Sequence, residues 1–235
     1  MSQENSNNKN KKRGHKGAFA LGLVIICFAL VGIVTVVMHA VSGVQTLFNN
    51  EAQKTEYEDF LYPVVMLDPE VFDDVTTADM SDLIAASILS LLSEDENSPY
   101  EFEFVEGETS GLAIPQDTVK DAFVSLFGTD IQPIHQSVEC STCVFEYQSS
   151  SGRYVIPITG YDPAYIPEVF DIDKTLEGTV SLTVGYIAYG DWEVDENNEY
   201  TQPEPAKYRK ITLRETDSGY YVSAIKNADA TKVTK

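Results

Sequence analysis

From Gly17 to Asn50 the chain carries no Asp, Glu, Lys or Arg, and Lys9, Lys11, Lys12, Arg13 and Lys16 crowd the residues just before that run. A helix rises about 1.5 Å per residue, so about 20 apolar residues suffice to cross a hydrocarbon core. The apolar stretch 18–44 exceeds that length and is expected to span a lipid bilayer with some tilt. Five basic residues precede it and only Lys54 follows closely. Such a Lys/Arg excess stays on the cytoplasmic side. The expected topology is a single pass through the cell membrane, N-terminus cytoplasmic and C-terminal domain outside.

A secretory signal peptide is the competing reading. Its apolar region runs only about 7 to 15 residues before a small-residue cleavage site, shorter than the run here, although Ala40, Ser42 and Gly43 leave cleavage open. Cys27 lies mid-span behind Ile25 and Ile26. A lipid-modified cysteine would follow a small residue at the end of the apolar run, so Cys27 is read as packing. Ala18 and Gly22 form one small-xxx-small pair, a spacing too common in membrane helices to argue for dimerisation. Residues 1–17 form a basic tail with almost nothing apolar to bury, expected to be disordered. Residues 45–56 read as a linker, of which the polar stretch from Asn49 either continues the anchor helix or joins it to the domain, and 229–235 as a disordered C-terminal tail.

Beyond the basic tail the chain holds 11 Lys/Arg against 36 Asp/Glu, a formal charge of −25. A field of that sign repels nucleic acid and attracts cations or basic partners. The simpler reading is that acidic residues keep an exported domain in solution. All 13 Tyr and eight of the 11 Phe lie at or beyond Tyr57, more apolar material than a disordered stalk needs. Residues 57–228 therefore suit one compact extracytoplasmic domain.

Within that domain, Phe60 to Phe72 puts nine apolar residues among thirteen, with Pro63 and Pro69 limiting a regular helix. Asp79 and Asp82 make a capping-type start, and Ile84, Ile88, Leu91 and Leu92 recur at helical spacing. A helix of about Thr77 to Ser93 is expected, buried on more than one face because Leu83 to Ser93 carries no charge. Tyr100 to Val105 reads as an edge strand or hairpin arm. Pro115 and Asp117 start a second helix, Val119, Phe123, Leu126 and Phe127 form its stripe, and Gly128 ends it. Val144–Tyr147 and Tyr154–Ile158 flank Ser149-Ser150-Ser151-Gly152 as a hairpin. Val180 to Tyr186 alternates as a strand, and Ile211–Leu213 with Tyr220–Ile225 flank Asp217-Ser218-Gly219. Helices first and antiparallel strands afterwards predict an α+β fold, two main helices packed on a curved antiparallel sheet.

Cys140 and Cys143 are the cysteine pair beyond the apolar span. On one straight strand they would stand about 10 Å apart on opposite faces, too far for a disulfide. A bond needs a turn between them. A local disulfide and two thiols both remain open. Zinc would want four ligands where the chain offers these two and, at a stretch, His135.

His135 is the single histidine of the outer domain. Without a Gly-x-Ser-x-Gly elbow, a phosphate-binding glycine loop or a His-Glu-x-x-His helix around it, it reads as a packed or surface histidine. Asp191, Glu193, Asp195, Asn197 and Glu199 put oxygen donors at alternate positions, as in a calcium loop. Glu196 stands where the sharp turn needs Gly, and Gln202 where a bidentate Glu belongs. The segment reads as a solvated acidic loop between two strands, with weak, adventitious calcium binding as the lesser alternative, and no cofactor or other metal is expected. Tyr161, Tyr165, Phe170, Tyr186, Tyr189 and Trp192 form an aromatic stretch that suits a core, or the mouth of a cupped sheet stacking on a ligand. Together with Tyr62 and Phe72 from the first apolar segment, these tyrosines and Trp192 are the ligand-binding candidates.

The words Phe60-Leu61-Tyr62-Pro63-Val64-Val65-Met66-Leu67-Asp68-Pro69, Val119-Lys120-Asp121-Ala122-Phe123-Val124-Ser125-Leu126-Phe127-Gly128 and Gly219-Tyr220-Tyr221-Val222-Ser223-Ala224-Ile225 resemble an uncharacterised family of single-pass envelope proteins of Gram-positive bacteria. The resemblance covers most of the outer domain and implies no activity. At fold level, two helices feeding a bent antiparallel sheet is similar to the NTF2-like or cystatin-like class. That likeness implies a membrane-tethered assembly factor of the kind found in conjugation-type secretion channels. The expected function is a non-enzymatic binding or assembly domain with a protein partner in the envelope. A cell-wall enzyme, or an inhibitor of a wall hydrolase, is the alternative.

Overall fold

Tyr57, Leu61, Val64 and Val65 stand at i, i+4, i+7 and i+8, so they share one face of a helix. All four are buried where residues 51–65 coil into helix α1. The structure is a computed structural model that describes residues 51–92, 102–106, 110–140, 143–158, 162–175, 178–190, 192–194, 200–217 and 219–229. Residues 51–56 are helical, and one reading is corrected: Pro63 does not keep the segment from a regular helix but sits inside the last turn of α1. Proline there deprives the carbonyl of Asp59 of its donor. Asp59 is exposed, so water can meet that carbonyl while the buried stripe holds the turn. The expected membrane span, 18–44, lies outside the described residues, and among those described no helix is long and apolar enough to cross a membrane.

A 3-10 helix, Val75–Thr77, follows, with the Asp74 side chain accepting from the Thr76 N–H at 2.9 Å. Asp79 then accepts from the Ser81 N–H at 2.7 Å and caps helix α2, Met80–Leu92. Every residue from Leu83 to Leu89 is buried, and the Ser87 hydroxyl donates to the Leu83 carbonyl at 2.7 Å. Helix α3, Gln116–Phe127, follows the sequence reading closely. Pro115 precedes it, Val119, Phe123, Leu126 and Phe127 are buried, and Gly128 ends it at φ 79°, a conformation that glycine adopts without penalty.

The strands form two main sheets and a ribbon among the described residues, all antiparallel. Strands β1 (Glu103–Val105), β2 (Gly111–Pro115), β3 (Val138–Cys140), β4 (Cys143–Gln148) and β5 (Arg153–Ile156) order as β1-β2-β5-β4-β3. Strands β6 (Tyr165–Lys174), β7 (Thr179–Ala188), β10 (Lys207–Thr216) and β11 (Gly219–Asn227) order as β11-β10-β7-β6, and β8 (Glu193–Val194) pairs with β9 (Tyr200–Thr201). The class is α+β. The single curved sheet with two main helices gives way to three α-helices and two main sheets among the described residues. The strands divide because β5 pairs with β2 and β4, whereas β7 and β10 find partners in each other, β6 and β11. Nor do helices all come first, since β1 and β2 precede α3. Helix α2 packs on α3 and β3, and α3 on β2 and β11, so the helical pair joins both sheets in one hydrophobic core.

Both edges of the four-stranded sheet are closed by the same N-terminal stretch. The Glu58 carboxylate on α1 accepts the Val169 N–H of edge strand β6 at 2.7 Å. Pro167, on the same side of that strand, has no N–H to offer. At the opposite edge Phe72 exchanges both backbone bonds with Ile225 of β11, at 2.9 and 3.0 Å. Exposed strand edges invite pairing with other chains, and here both are blunted.

Close approach of backbones sets the limit on substitution in the five-stranded sheet. A Cβ at Gly111 would stand 2.1 Å from the Ile156 carbonyl oxygen, whereas one at Gly190 meets nothing within 4 Å. Gly111→Ala is expected to lower unfolding stability by about 2–3 kcal/mol, as overpacking against fixed backbone does. Gly190→Ala should stay within about 0.5 kcal/mol. Urea denaturation of the two variants side by side checks the contrast.

Candidate functional site

The site is built where residues 66–72 cross the four-stranded sheet. Helix α1 ends at Val65, and Met66 then offers its carbonyl to the Ala164 N–H, just ahead of β6, at 3.0 Å. At the far end Phe72 pairs with β11. Asp68 lies between the two attachments with φ 53°, left-handed backbone that Asp tolerates better than most residues. Its carboxylate takes an ion pair and hydrogen bond from Lys207 Nζ at the start of β10.

Lys207 also lies against two rings. Its Nζ lies 4.5 Å from the Tyr165 ring centroid and 5.2 Å from that of Tyr186, and the two rings meet edge to face at 5.6 Å. The register explains the convergence: Lys207 of β10 pairs with Tyr186 of β7, and Tyr165 of β6 with Ala188 two residues on. An ammonium over ring faces gains about 0.5–2 kcal/mol depending on desolvation. The side chains of Lys207 and Asp68 are only 26% and 27% exposed, so the pair works in a partly dry setting. Among the described residues, Asp68 Oδ1 and Arg209 Nε are buried without a hydrogen-bond partner. Burial, and after it the Asp68 charge, pushes the Tyr186 phenol well above its ordinary range. Burial, and then the neighbouring Tyr189, raises the Tyr62 phenol.

Two of the sequence candidates, Tyr165 and Tyr186, are thereby brought together on Lys207, and Tyr62 and Tyr189 neighbour each other. Tyr186 is wholly buried, Tyr165 and Tyr62 are half-buried, and Tyr189 is 47% exposed. The Tyr189 N–H donates to the Ala164 carbonyl at 3.3 Å, fixing it to the strand entry. The other candidates go elsewhere. Phe72 is buried at the β11 edge. Phe170 meets Tyr208 edge to face, ring centroids 5.3 Å apart, against Gly185. Trp192 is half-buried beside the β8–β9 ribbon. Tyr161 lies outside the described residues, as do Asp191, Asp195, Asn197 and Glu199 of the acidic segment, where Glu193 pairs through its backbone with Thr201. Among the described residues no group of three or more His, Cys, Asp or Glu is placed to hold a metal ion.

Sequence reasoning missed Asp68 and Lys207 as site residues. Their one signal is that Lys207 is a cation in a strongly acidic domain, and no local pattern ties positions 68 and 207. His135 forms a separate cluster. Its Nδ1 lies 3.1 Å from the Tyr154 hydroxyl, its ring stacks on Tyr147 at 5.5 Å, and the Tyr147 hydroxyl donates to Gln116. Burial holds the imidazole below its ordinary value, with Asp117 opposing and Lys120 reinforcing. Burial pushes Tyr154 up to about 12. The three rings pack together between α3 and the β4–β5 hairpin. A cleft of about 360 Å³ opens between the end of α3 and the β10–β11 turn, lined by Asp121, Ser125, Thr129, Tyr220 and Tyr221 among others. It contains none of the candidates. Comparison with protein-family models, with curated proteins and with solved structures returns no match for this chain.

Two measurements follow from this geometry. Asp68→Ala and Lys207→Ala should each cost about 1–3 kcal/mol, the range for breaking a largely buried pair after discounting its exposure. The double variant should lose clearly less than the sum, which a double-mutant cycle in urea would register. For His135, the folded-state pKa lies below the unfolded value of 6.5. Its contribution is therefore present above about pH 6.5 and lost as pH falls through the folded value, at up to about 1.4 kcal/mol per pH unit. The stability difference between wild type and His135→Phe should narrow or change sign between pH 7.5 and pH 5, and a constant difference would contradict it.

Proposed function

We propose that this chain is a membrane-tethered, non-enzymatic binding or assembly domain of a bacterial cell envelope, with residues 18–44 as its tether. The charge-free run behind a basic flank supports the tether, and the acidity of the remainder suits a domain held in solution outside. The observation that carries the binding half is the part-exposed Tyr165 held with Tyr186 on the Lys207–Asp68 pair, beside the exposed Tyr189, whose backbone is bonded to the residue before Tyr165 and which neighbours Tyr62. Part-exposed tyrosines on a fixed base are the side chains that contribute most per residue to protein contacts. The polar groups beneath them are engaged with one another. Lys207 is held by a carboxylate and two ring faces, which suits a foundation for contact better than a nucleophile or proton carrier.

Site-specific photo-crosslinking in native membranes tests the proposal. A photoreactive phenylalanine at Tyr189 or Tyr62 should yield one discrete adduct, and the same probe at Asp121 should not. Impermeant amine labelling of intact cells should reach Lys226 and spare Lys9 to Lys16. No adduct at either tyrosine would overturn the binding reading, and labelling of the N-terminal lysines would overturn the orientation.

A further inference from the structure

The β3–β4 hairpin brings Cys140 and Cys143 opposite each other. Its register is Val138 with Phe145, Glu139 with Val144, and Cys140 with Cys143. Directly opposed residues on antiparallel strands have Cα atoms about 4.5–5.5 Å apart, inside the window of about 4.4–6.8 Å that a disulfide requires. The straight-strand arrangement that would hold the pair apart is not the one this chain adopts. Alternation puts positions 138 and 140 on one face of β3, where Val138 and Cys140 are both buried. The pairing of Val138 with Phe145 carries that face across to β4, where Phe145 is buried as well. Position 143 belongs to the same face of the strand as 145.

We propose that Cys140 and Cys143 form a disulfide that closes the β3–β4 hairpin on its core side. Strand β3 is a sheet edge of three residues whose strand partner is β4, and helix α2 packs against it. A covalent tie at the end of so short a strand keeps it from fraying away from α2. In forming the bond the two thiols give up two protons and two electrons. The electrons pass to a disulfide-bearing oxidant: one thiolate attacks its S–S bond, the second resolves the mixed disulfide, and the oxidant leaves as a dithiol. The inference rests on the proposed extracytoplasmic placement, since structural disulfides persist in oxidising compartments.

Thiol counting on the full chain tests it. The chain has three cysteines. Extracted from membranes, denatured and alkylated without reductant, it should take up one alkyl group, at Cys27, and three after reduction. Cys140→Ser should take up two without reductant. Three adducts on the unreduced wild type would overturn the proposal. A second arm then locates the fault: the reduced, folded protein is exposed to oxidised glutathione. Closure to a species two hydrogens lighter means the pairing is right and the compartment wrong. Accumulation of glutathione adducts at both positions means the pairing itself is wrong.

Discussion

The bond from Lys207 to Asp68 pins the segment that joins α1 to the rest of the domain onto its sheet. Residues 66–72 are tied at Met66 to the entry of β6 and at Phe72 to β11, and between those two the ion pair is joined by a bond from the Glu70 backbone to the Asp82 carboxylate. Helix α1 hangs from one end of that segment and the Val75–Thr77 helix from the other, so the placement of both follows from it. The left-handed backbone at Asp68 is part of the same arrangement, because an extended residue there would carry the carboxylate elsewhere. A partly buried cation is tolerable here because a carboxylate and two ring faces replace the water it gives up. The pair is therefore less a surface salt bridge than a peg, and the tyrosines around it inherit their positions from it.

The two faces of β6 and β7 use their aromatic residues differently. Tyr165 and Tyr186 turn toward the peg, while Phe170, displaced by the bulge between Val169 and Asp171, meets Tyr208 edge to face over Gly185. One stretch of sequence thus supplies both a polar aromatic cluster and a packed outer face. The division follows from register rather than from composition.

Much of the local structure was legible. Helix α3 announced itself because Pro115 and Gly128 are punctuation with a backbone reason, and the stripe between them has one period. The β4–β5 and β10–β11 hairpins were readable from their turn residues. Helix α1 was obscured because Pro63 outweighs a four-residue stripe when propensity is all one can weigh, whereas burial settles the matter in the folded chain. Strand β6 was hidden for the related reason that Pro167 and its acids argue against a strand until one knows it lies at an edge. The candidate tyrosines were half legible: their chemistry marked them out, but the partners that gather Tyr165 and Tyr186 lie 139 residues apart at Asp68 and Lys207. No local pattern encodes a contact of that range.

The edge closures have a consequence in time. Glu58 and Phe72, which cover the edges at β6 and β11, both precede those strands in the chain. A polypeptide that emerges N-terminus first therefore has its guards in hand before either vulnerable strand is complete. At Val169 and Ile225 the four-stranded sheet need never wait, half built, for a partner still to be synthesised, and the order of the sequence itself narrows the window in which a neighbouring chain adds to those edges.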